Sequence, residues 1–355
     1  MQILLEELYK ADIHLEKYHD RKLFIEEDKS YSISGITQSG KTKLIKNYLL
    51  SLKKSNYIYI DCHDIRLNYN ELNSSLQEFC TQNKITTVVL DNYETDISLV
   101  NTKQLILISQ TPLEYDFLIP MKLYPLDYEE FLAYEQKYDS SLNHFFQLGG
   151  LPIMHTIVQE NRAISLQKSL RYALSEMEFD ILLTCAKMLS QKISAFTLYE
   201  RLKQTRKISK DKLYKSYEQL MIKNYIHTLE KFNHKKATKK IYLADIAFKS
   251  ALTTDKHFGR LFENMIYLEL LKSGEECYYD DGVDFYLPHK NEIILGMAFH
   301  DERALFKKLE LLEAFIFSYQ VSKITAVTMS KESSLSHPIS KVEMIPFDIW
   351  TLGDE

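Results

Sequence analysis

The sequence predicts an α/β protein: a parallel sheet flanked by helices on both faces, then a helix-rich region, then a smaller α/β unit. Three observations carry this. Between residues 31 and 111, short continuous apolar runs alternate with segments of helical period, as strands buried on both faces do. From about 125 to 223 the apolar spacing is almost wholly helical, and from 246 the two periods mix again. Only nine of 355 residues are glycine, and Gly35 and Gly40 share one eight-residue window, which marks a local backbone demand.

In chain order, Ile3, Leu4, Leu8 and Leu15 with acids between them predict an amphipathic helix over 1–20. Strands are predicted at 31–34, 57–61, 87–91 and 105–109, with helices at 41–54 and 71–83. Three helices at 177–189, 195–204 and 210–223 precede two short strands at 225–229 and 240–243, the pattern of a winged helix. Further strands are expected near 284–287, 292–299 and 323–329. These elements divide the chain into domains at 1–160, 161–245 and 246–355, and the length suits two or three domains.

Composition excludes several classes. A net charge of -5 opposes a globally basic nucleic-acid binder, and 45% hydrophobic residues suffice for real cores. Cys62, Cys80, Cys185 and Cys277 include no C-x-x-C pair, and the nearest two stand 18 positions apart. That spacing suits neither a zinc site nor a disulfide framework, so reduced core thiols in a cytoplasmic protein are expected. The first residues lack the basic start and apolar core of a signal peptide, and no apolar run approaches the ~18 residues of a membrane span.

The glycine-rich window reads Gly35-Ile36-Thr37-Gln38-Ser39-Gly40-Lys41-Thr42, a complete G-x-x-x-x-G-K-T. Glycines let backbone N–H groups turn inward around phosphate oxygens. Lys41 reaches the β- and γ-phosphates, the Thr42 hydroxyl binds Mg2+, and the following helix aims its positive end at the phosphates. ATP and Mg2+ are therefore the expected ligands. A second element is the strand Val88-Val89-Leu90-Asp91, whose terminal carboxylate suits the magnesium shell.

The residue after Asp91 is Asn92, which hydrogen-bonds water but cannot accept its proton. Glu94 lies two positions further on. No arginine occurs between Arg66 and Arg162, so this part of the sheet supplies no arginine to the γ-phosphate. With Lys41, Asp91, Asn92 and Glu94 as the candidate catalytic set, the expectation is slow hydrolysis, with ATP acting as a switch. Ser109-Gln110-Thr111, after the last clear strand, is either a γ-phosphate sensor or a solvated strand end.

Further motifs follow in order. They are Pro125-Leu126-Asp127-Tyr128-Glu129-Glu130-Phe131-Leu132, Gly149-Gly150-Leu151-Pro152, Lys240-Ile241-Tyr242-Leu243-Ala244-Asp245, and Glu263-Asn264. Locally, Asp127 and Glu130 read as a capping box and Gly149-Gly150 as a helix stop. Their order from about 31 to 300 resembles prokaryotic AAA-superfamily ATPases of the archaeal-ATPase-like group. That resemblance implies a P-loop domain, a winged helix and a C-terminal restriction-endonuclease-like domain.

Residues 201–240 hold thirteen Lys or Arg and three Asp or Glu, a net of +10 that leaves -15 on the remainder. Arg206, Lys207, Lys210, Lys212 and Lys215 fall at the third helix. Lys231, Lys235, Lys236, Lys239 and Lys240 fall on the candidate wing. This charge suits duplex DNA; the alternative is a solvated face, or one docked on the acidic rest of the same chain.

The resemblance also implies nuclease carboxylates: a helix acid, E-x-D on one strand and E-x-K on the next. Here Glu263 and Asp284 remain, Gly282 replaces the first E, and Gly296-x-Ala298 replaces E-x-K. Two carboxylates without the lysine predict no nuclease activity. Three functions are then open: a nucleotide-driven switch, a DNA-binding regulator with a hydrolysis-defective P-loop, or a protein-interaction module.

Overall fold

The computed structural model describes residues 1–353 except 16, 17, 19, 136–140, 256, 300, 331 and 336–339. The chain forms two compact units, one of residues 1–125 with 222–224, the other of 126–221 with 225–355.

The first unit contains α1 (Gln2–Lys10), β1 (Tyr31–Ser34), α2 (Lys41–Ser51), β2 (Tyr57–Asp61), α3 (Tyr69–Gln82), β3 (Thr87–Asp91), β4 (Gln104–Ser109) and β5 (Ile119–Lys122). The strands form one all-parallel sheet in the order β2-β3-β4-β1-β5, consistent with a P-loop NTPase core. Because side chains alternate faces, Val88 and Leu90 join a core with Leu72, Leu76 and Phe79 of α3. Val89 joins Ile106, Ile108 and Leu44, Ile45 and Leu49 of α2 on the other face.

Two expectations are corrected here. The helix read over 1–20 is helical only through Lys10, and Ala11 is extended; residues 16, 17 and 19 lie outside the described residues. Its buried face is Met1, Leu5, Leu8 and Tyr9, while Ile3 is 86% exposed. The sheet also has a fifth strand, β5, with no sequence signal. Pro120 interrupts it and Ile119 and Pro120 are exposed, as an edge strand permits.

The second unit opens with α4 (Tyr128–Tyr134), α5 (Ser141–Leu148), α6 (Gln159–Ala173), α7 (Glu176–Lys187), α8 (Ala195–Lys203) and α9 (Lys210–Ile222). An antiparallel hairpin of β6 (Ile226–Leu229) and β7 (Lys240–Leu243) follows. Then come α10 (Ala247–Leu252), α11 (Phe258–Lys272), β8 (Phe285–Leu287), β9 (Glu292–Gly296), α12 (Glu302–Tyr319), β10 (Lys323–Thr328), β11 (Ser333–Leu335), β12 (Lys341–Pro346) and α13 (Phe347–Leu352). The second sheet runs β11-β12-β10-β9-β8; β9, β10 and β12 are parallel, and β8 and β11 antiparallel to their neighbours.

The Asp127–Glu130 capping box forms at α4 as read from sequence. The glycine pair does more than stop α5. Gly149 has φ +70°, and a Cβ there would lie 2.0 Å from Asp245 Oδ1; one on Gly150 would lie 2.2 Å from the Leu126 carbonyl oxygen. Asp245 is buried and accepts from Gly150 N (2.7 Å) and Ala247 N (2.8 Å). Burial pushes its carboxyl up to about 6, opposed by the Ala247 N–H, Lys272 and the Gly150 N–H. Lys272 Nζ donates to the Leu126 carbonyl (2.8 Å) and Tyr128 N to Glu269 (3.2 Å). Motifs far apart in sequence thus close one joint.

Candidate functional site

The P-loop is built by the local chain. β1 ends at Ser34, the loop turns through left-handed Gln38 (φ 66°) and Gly40 (φ 98°), and Gly40 caps α2. A Cβ on Gly35 would sit 2.3 Å from the Leu123 carbonyl oxygen, so only glycine passes there. Alternating left-handed residues point successive N–H groups into one concavity. Outside the expected motif, Arg21 steadies the loop: its guanidinium donates to the carbonyls of Ser39 (3.0 Å) and Tyr124 (2.7 Å).

Lys41 Nζ is folded against the carbonyls of Gly35 (2.7 Å) and Ile36 (2.9 Å). Burial lowers its ammonium to about 8, and nearby Asp91 pulls the other way. Thr42 Oγ1 donates to Asp91 Oδ2 at 2.6 Å. Tyr59 OH donates to the same oxygen at 2.7 Å, and Asn92 N to Oδ1 at 2.8 Å. Burial, then Asp91, holds the Tyr59 phenol above its ordinary range, so it remains a donor.

These groups fit Mg-ATP. Thr42 and Asp91 offer hard oxygens, and magnesium takes few protein ligands and completes its shell with phosphates and water. Accordingly, among the described residues no three His, Cys, Asp or Glu gather as a metal-holding group. Ser39 Oγ in the loop is fully buried without a hydrogen-bond partner, a donor suited to a phosphate oxygen.

The remaining expected residues scatter more. Asn92 follows Asp91 with φ 54° and donates Nδ2–H to Asp61 Oδ1 at 2.9 Å. Glu94 is exposed, and its charge acts on Cys62 and Tyr69. Ser109 Oγ donates to the Thr111 carbonyl. The cysteines are unpaired. Burial pushes Cys62, Cys185 and Cys277 up to about 12 and Cys80 to about 11, so they stay protonated and unreactive at neutral pH.

In the second unit, Glu263 and Asp284 do come together, but around lysines. Lys240 Nζ lies 2.8 Å from Glu263 Oε1 and 3.8 Å from Asp284 Oδ1. Lys308 Nζ contacts Asp284 Oδ2 at 2.7 Å. Tyr242 OH donates to Glu263 (2.7 Å) and Gly296 N to Asp284 (3.0 Å). Burial, reinforced by Asp284, raises the Glu263 carboxyl against the pull of Lys240. Gly296 stands beside Glu263: a Cβ there would lie 3.7 Å from the Glu263 Cα.

The basic region divides in the same way. Lys231 pairs with Asp281 (2.6 Å) and Asp280 (3.4 Å), and Lys239 with Glu230 (2.6 Å). Phe232 packs among Tyr278, Tyr286 and Tyr319. Arg206 is held by Glu176 and Asp180. Lys207, Lys210, Lys212, Lys215, Lys235 and Lys236 are exposed, with Lys210 over the rings of Phe196 and Tyr214.

No known family's sequence profile matches the chain. It is 22% identical to an uncharacterized protein of Methanocaldococcus jannaschii, across 99% of this chain and 96% of that protein. Among solved structures, a Walker-type ATPase of Pyrococcus abyssi is similar at 16% identity and TM-score 0.43, covering 62% of this chain and 90% of that one. The Aeropyrum pernix ORC1 protein, solved in complex with DNA, is similar at 12% identity and TM-score 0.33, covering 64% of this chain and 87% of that one.

Sequence reading missed Arg21, Tyr59, Asp61 and Lys308, and did not pair Lys240 and Tyr242 with Glu263. Only Asp61 carried a signal: two apolar strands, YIYID and TVVLD, both end in aspartate.

Proposed function

We propose that the chain is an AAA-type ATPase that binds Mg-ATP at Gly35–Thr42 and turns it over slowly, using ATP as a conformational switch. The Thr42–Asp91 hydrogen bond of 2.6 Å carries this reading. It joins the hydroxyl beside the phosphate lysine to the strand-end carboxylate, and both are hard magnesium ligands. The bound cation would neutralise charge on the phosphates. Lys41 binds the γ-phosphate, and Asn92, which can orient water but cannot take its proton, explains the slow rate. Glu94, exposed two positions beyond Asn92, stays the other carboxylate of the candidate catalytic set.

In this reading the chain has three functional parts, 1–160, 161–245 and 246–355, although by compactness residues 126–160 group with the second unit. Helices α7, α8 and α9 with the β6–β7 hairpin are the winged helix. The succession α11, β8, β9, α12, β10, with Tyr278 bridging antiparallel to Tyr286, supports a nuclease-like ancestry whose site has lost function. Mg-ATP hydrolysis by the protein and by Lys41→Ala tests the main claim. A kcat far below the enzyme median of ~10 per second, absent from the variant, is expected. Turnover equal in both proteins sinks the ATPase reading, and a rate typical of motor ATPases sinks the switch.

Duplex DNA is the second partner proposed, through Lys207, Lys210, Lys212, Lys215, Lys235 and Lys236. Lys231, Lys239, Lys240 and Arg206 are already committed to acids of the same chain. Affinity for duplex should fall steeply with salt, by roughly 0.9 log unit per log unit for each phosphate contact. An affinity that barely changes between low and moderate salt rules this partner out.

A further inference from the structure

We propose that Asp61 is a positioning residue for ATP hydrolysis, fixing the Asn92 amide so that its oxygen is presented to the attacking water; this rests on the ATPase reading above. β2 and β3 end in register, with Asp61 opposite Asp91. Asn92 leaves the strand in a left-handed conformation that asparagine tolerates, and its backbone N–H is tied to Asp91 Oδ1 at 2.8 Å. The Asn92 side chain then has one close partner from β2, Asp61 Oδ1 at 2.9 Å. Asp61 is itself held by its own turn, accepting from His63 N at 3.0 Å.

A carboxylate is acceptor-only, whereas an amide has distinct donor and acceptor ends. Asp61 therefore selects one of the two amide orientations. The NH2 goes to the carboxylate, and Oδ1 is left as a hydrogen-bond acceptor. An acceptor next to Asp91 can hold one proton of a water and leave the water's lone pair free for phosphorus. In the step itself, the water oxygen bonds to the γ-phosphorus as the bond to the β–γ bridging oxygen breaks. The electron pair leaves with ADP, and the water's protons end on inorganic phosphate and in solvent. The chain positions this water without taking its proton.

The juxtaposition has an unusual consequence. A glutamate at position 92 would meet Asp61 as a like charge at hydrogen-bond distance, which disfavours the ionised pair. The amide at 92 and the carboxylate at 61 thus depend on each other.

Four proteins test this: wild type, Asp61→Ala, Asn92→Glu and the exchange Asp61→Asn with Asn92→Glu. Asp61→Ala should lower kcat at least about tenfold, with Mg-ATP Kd within about twofold of wild type. Asn92→Glu alone should stay at or below wild-type kcat, and the exchanged pair should exceed it, since an amide at 61 now steadies a carboxylate at 92. The Asn92 side-chain amide protons, followed by NMR, should exchange slowly in wild type and fast in Asp61→Ala. Wild-type kcat in Asp61→Ala, or Asn92→Glu as active as the exchanged pair, overturns the proposal. Wild-type turnover no faster than that of Lys41→Ala instead overturns the ATPase reading, and the positioning role with it.

Discussion

Lys41→Ala is expected to weaken ATP binding at least about a hundredfold, since charged hydrogen bonds contribute ~1.5–3 kcal/mol each and each ~1.4 kcal/mol is tenfold in affinity. In the free protein the ammonium rests on the carbonyls of Gly35 and Ile36, and burial holds it at about 8. That value lies below the ordinary lysine range, so burial of the charged form is a cost present below about pH 8. The cost is relieved as pH climbs through the folded value towards the unfolded one.

Phosphate oxygens reverse this, because they favour the ammonium. Below pH 8 the lysine is already charged and binding is insensitive to pH. Above it, binding must take up a proton, and affinity should fall by up to about tenfold per pH unit. Calorimetry in buffers of different ionisation enthalpy, from pH 6.5 to 9, reads both proton uptake and Kd. A pH-independent affinity over that range means that the Lys41 ammonium is not held low in the free protein, and unweakened ATP binding by Lys41→Ala rules out Lys41 as the phosphate ligand.

Lys240→Met is expected to destabilise the fold by about 3–5 kcal/mol, the usual effect of removing one partner from a buried ion pair. Glu263 and Lys240 are largely shielded, their side chains 16% and 11% exposed. Loss of the ammonium leaves Glu263 beside Asp284 with only Lys308 to balance two carboxylates. Adding Glu263→Gln should recover much of the loss, because no unpaired charge then remains buried. Manganese gives a second readout. The two ammonium groups stand on Glu263 and Asp284, where a nuclease would hold cations, so in Asp91→Ala protein, which lacks the cation site proposed at Thr42 and Asp91, millimolar Mn2+ should leave Tm unchanged. With Lys240 and Lys308 also changed to Met, Mn2+ should raise it. A Tm of Asp91→Ala protein that climbs with Mn2+ would mean a working metal site at Glu263 and Asp284 and would revive the nuclease reading.

The P-loop and the strand to Asp91 were readable because each is a continuous stretch whose backbone and side-chain demands are local. The same holds for the Asp127–Glu130 box and for the third helix with its hairpin. The joints between motifs were not readable. Gly149 must be glycine because Asp245, almost a hundred positions on, fills the space where a Cβ would go. The order of these motifs was visible, but the contact that requires it was not. The fate of the basic residues was also hidden. Composition could not separate Lys235, which is exposed, from Lys231, which Asp280 and Asp281 hold.

By itself, then, the sequence determined the glycine-bounded loop at 35–42, the apolar strand that ends in Asp91 and a parallel sheet buried on both faces, since backbone torsion and apolar period act over a few residues. Tertiary structure alone decided that Asp61 holds Asn92, that Arg21 steadies the loop, and that Lys240 and Lys308 pair with Glu263 and Asp284. Those contacts join residues between 18 and 31 positions apart on different elements, and electrostatic pairing depends on distance in space, which no local pattern encodes.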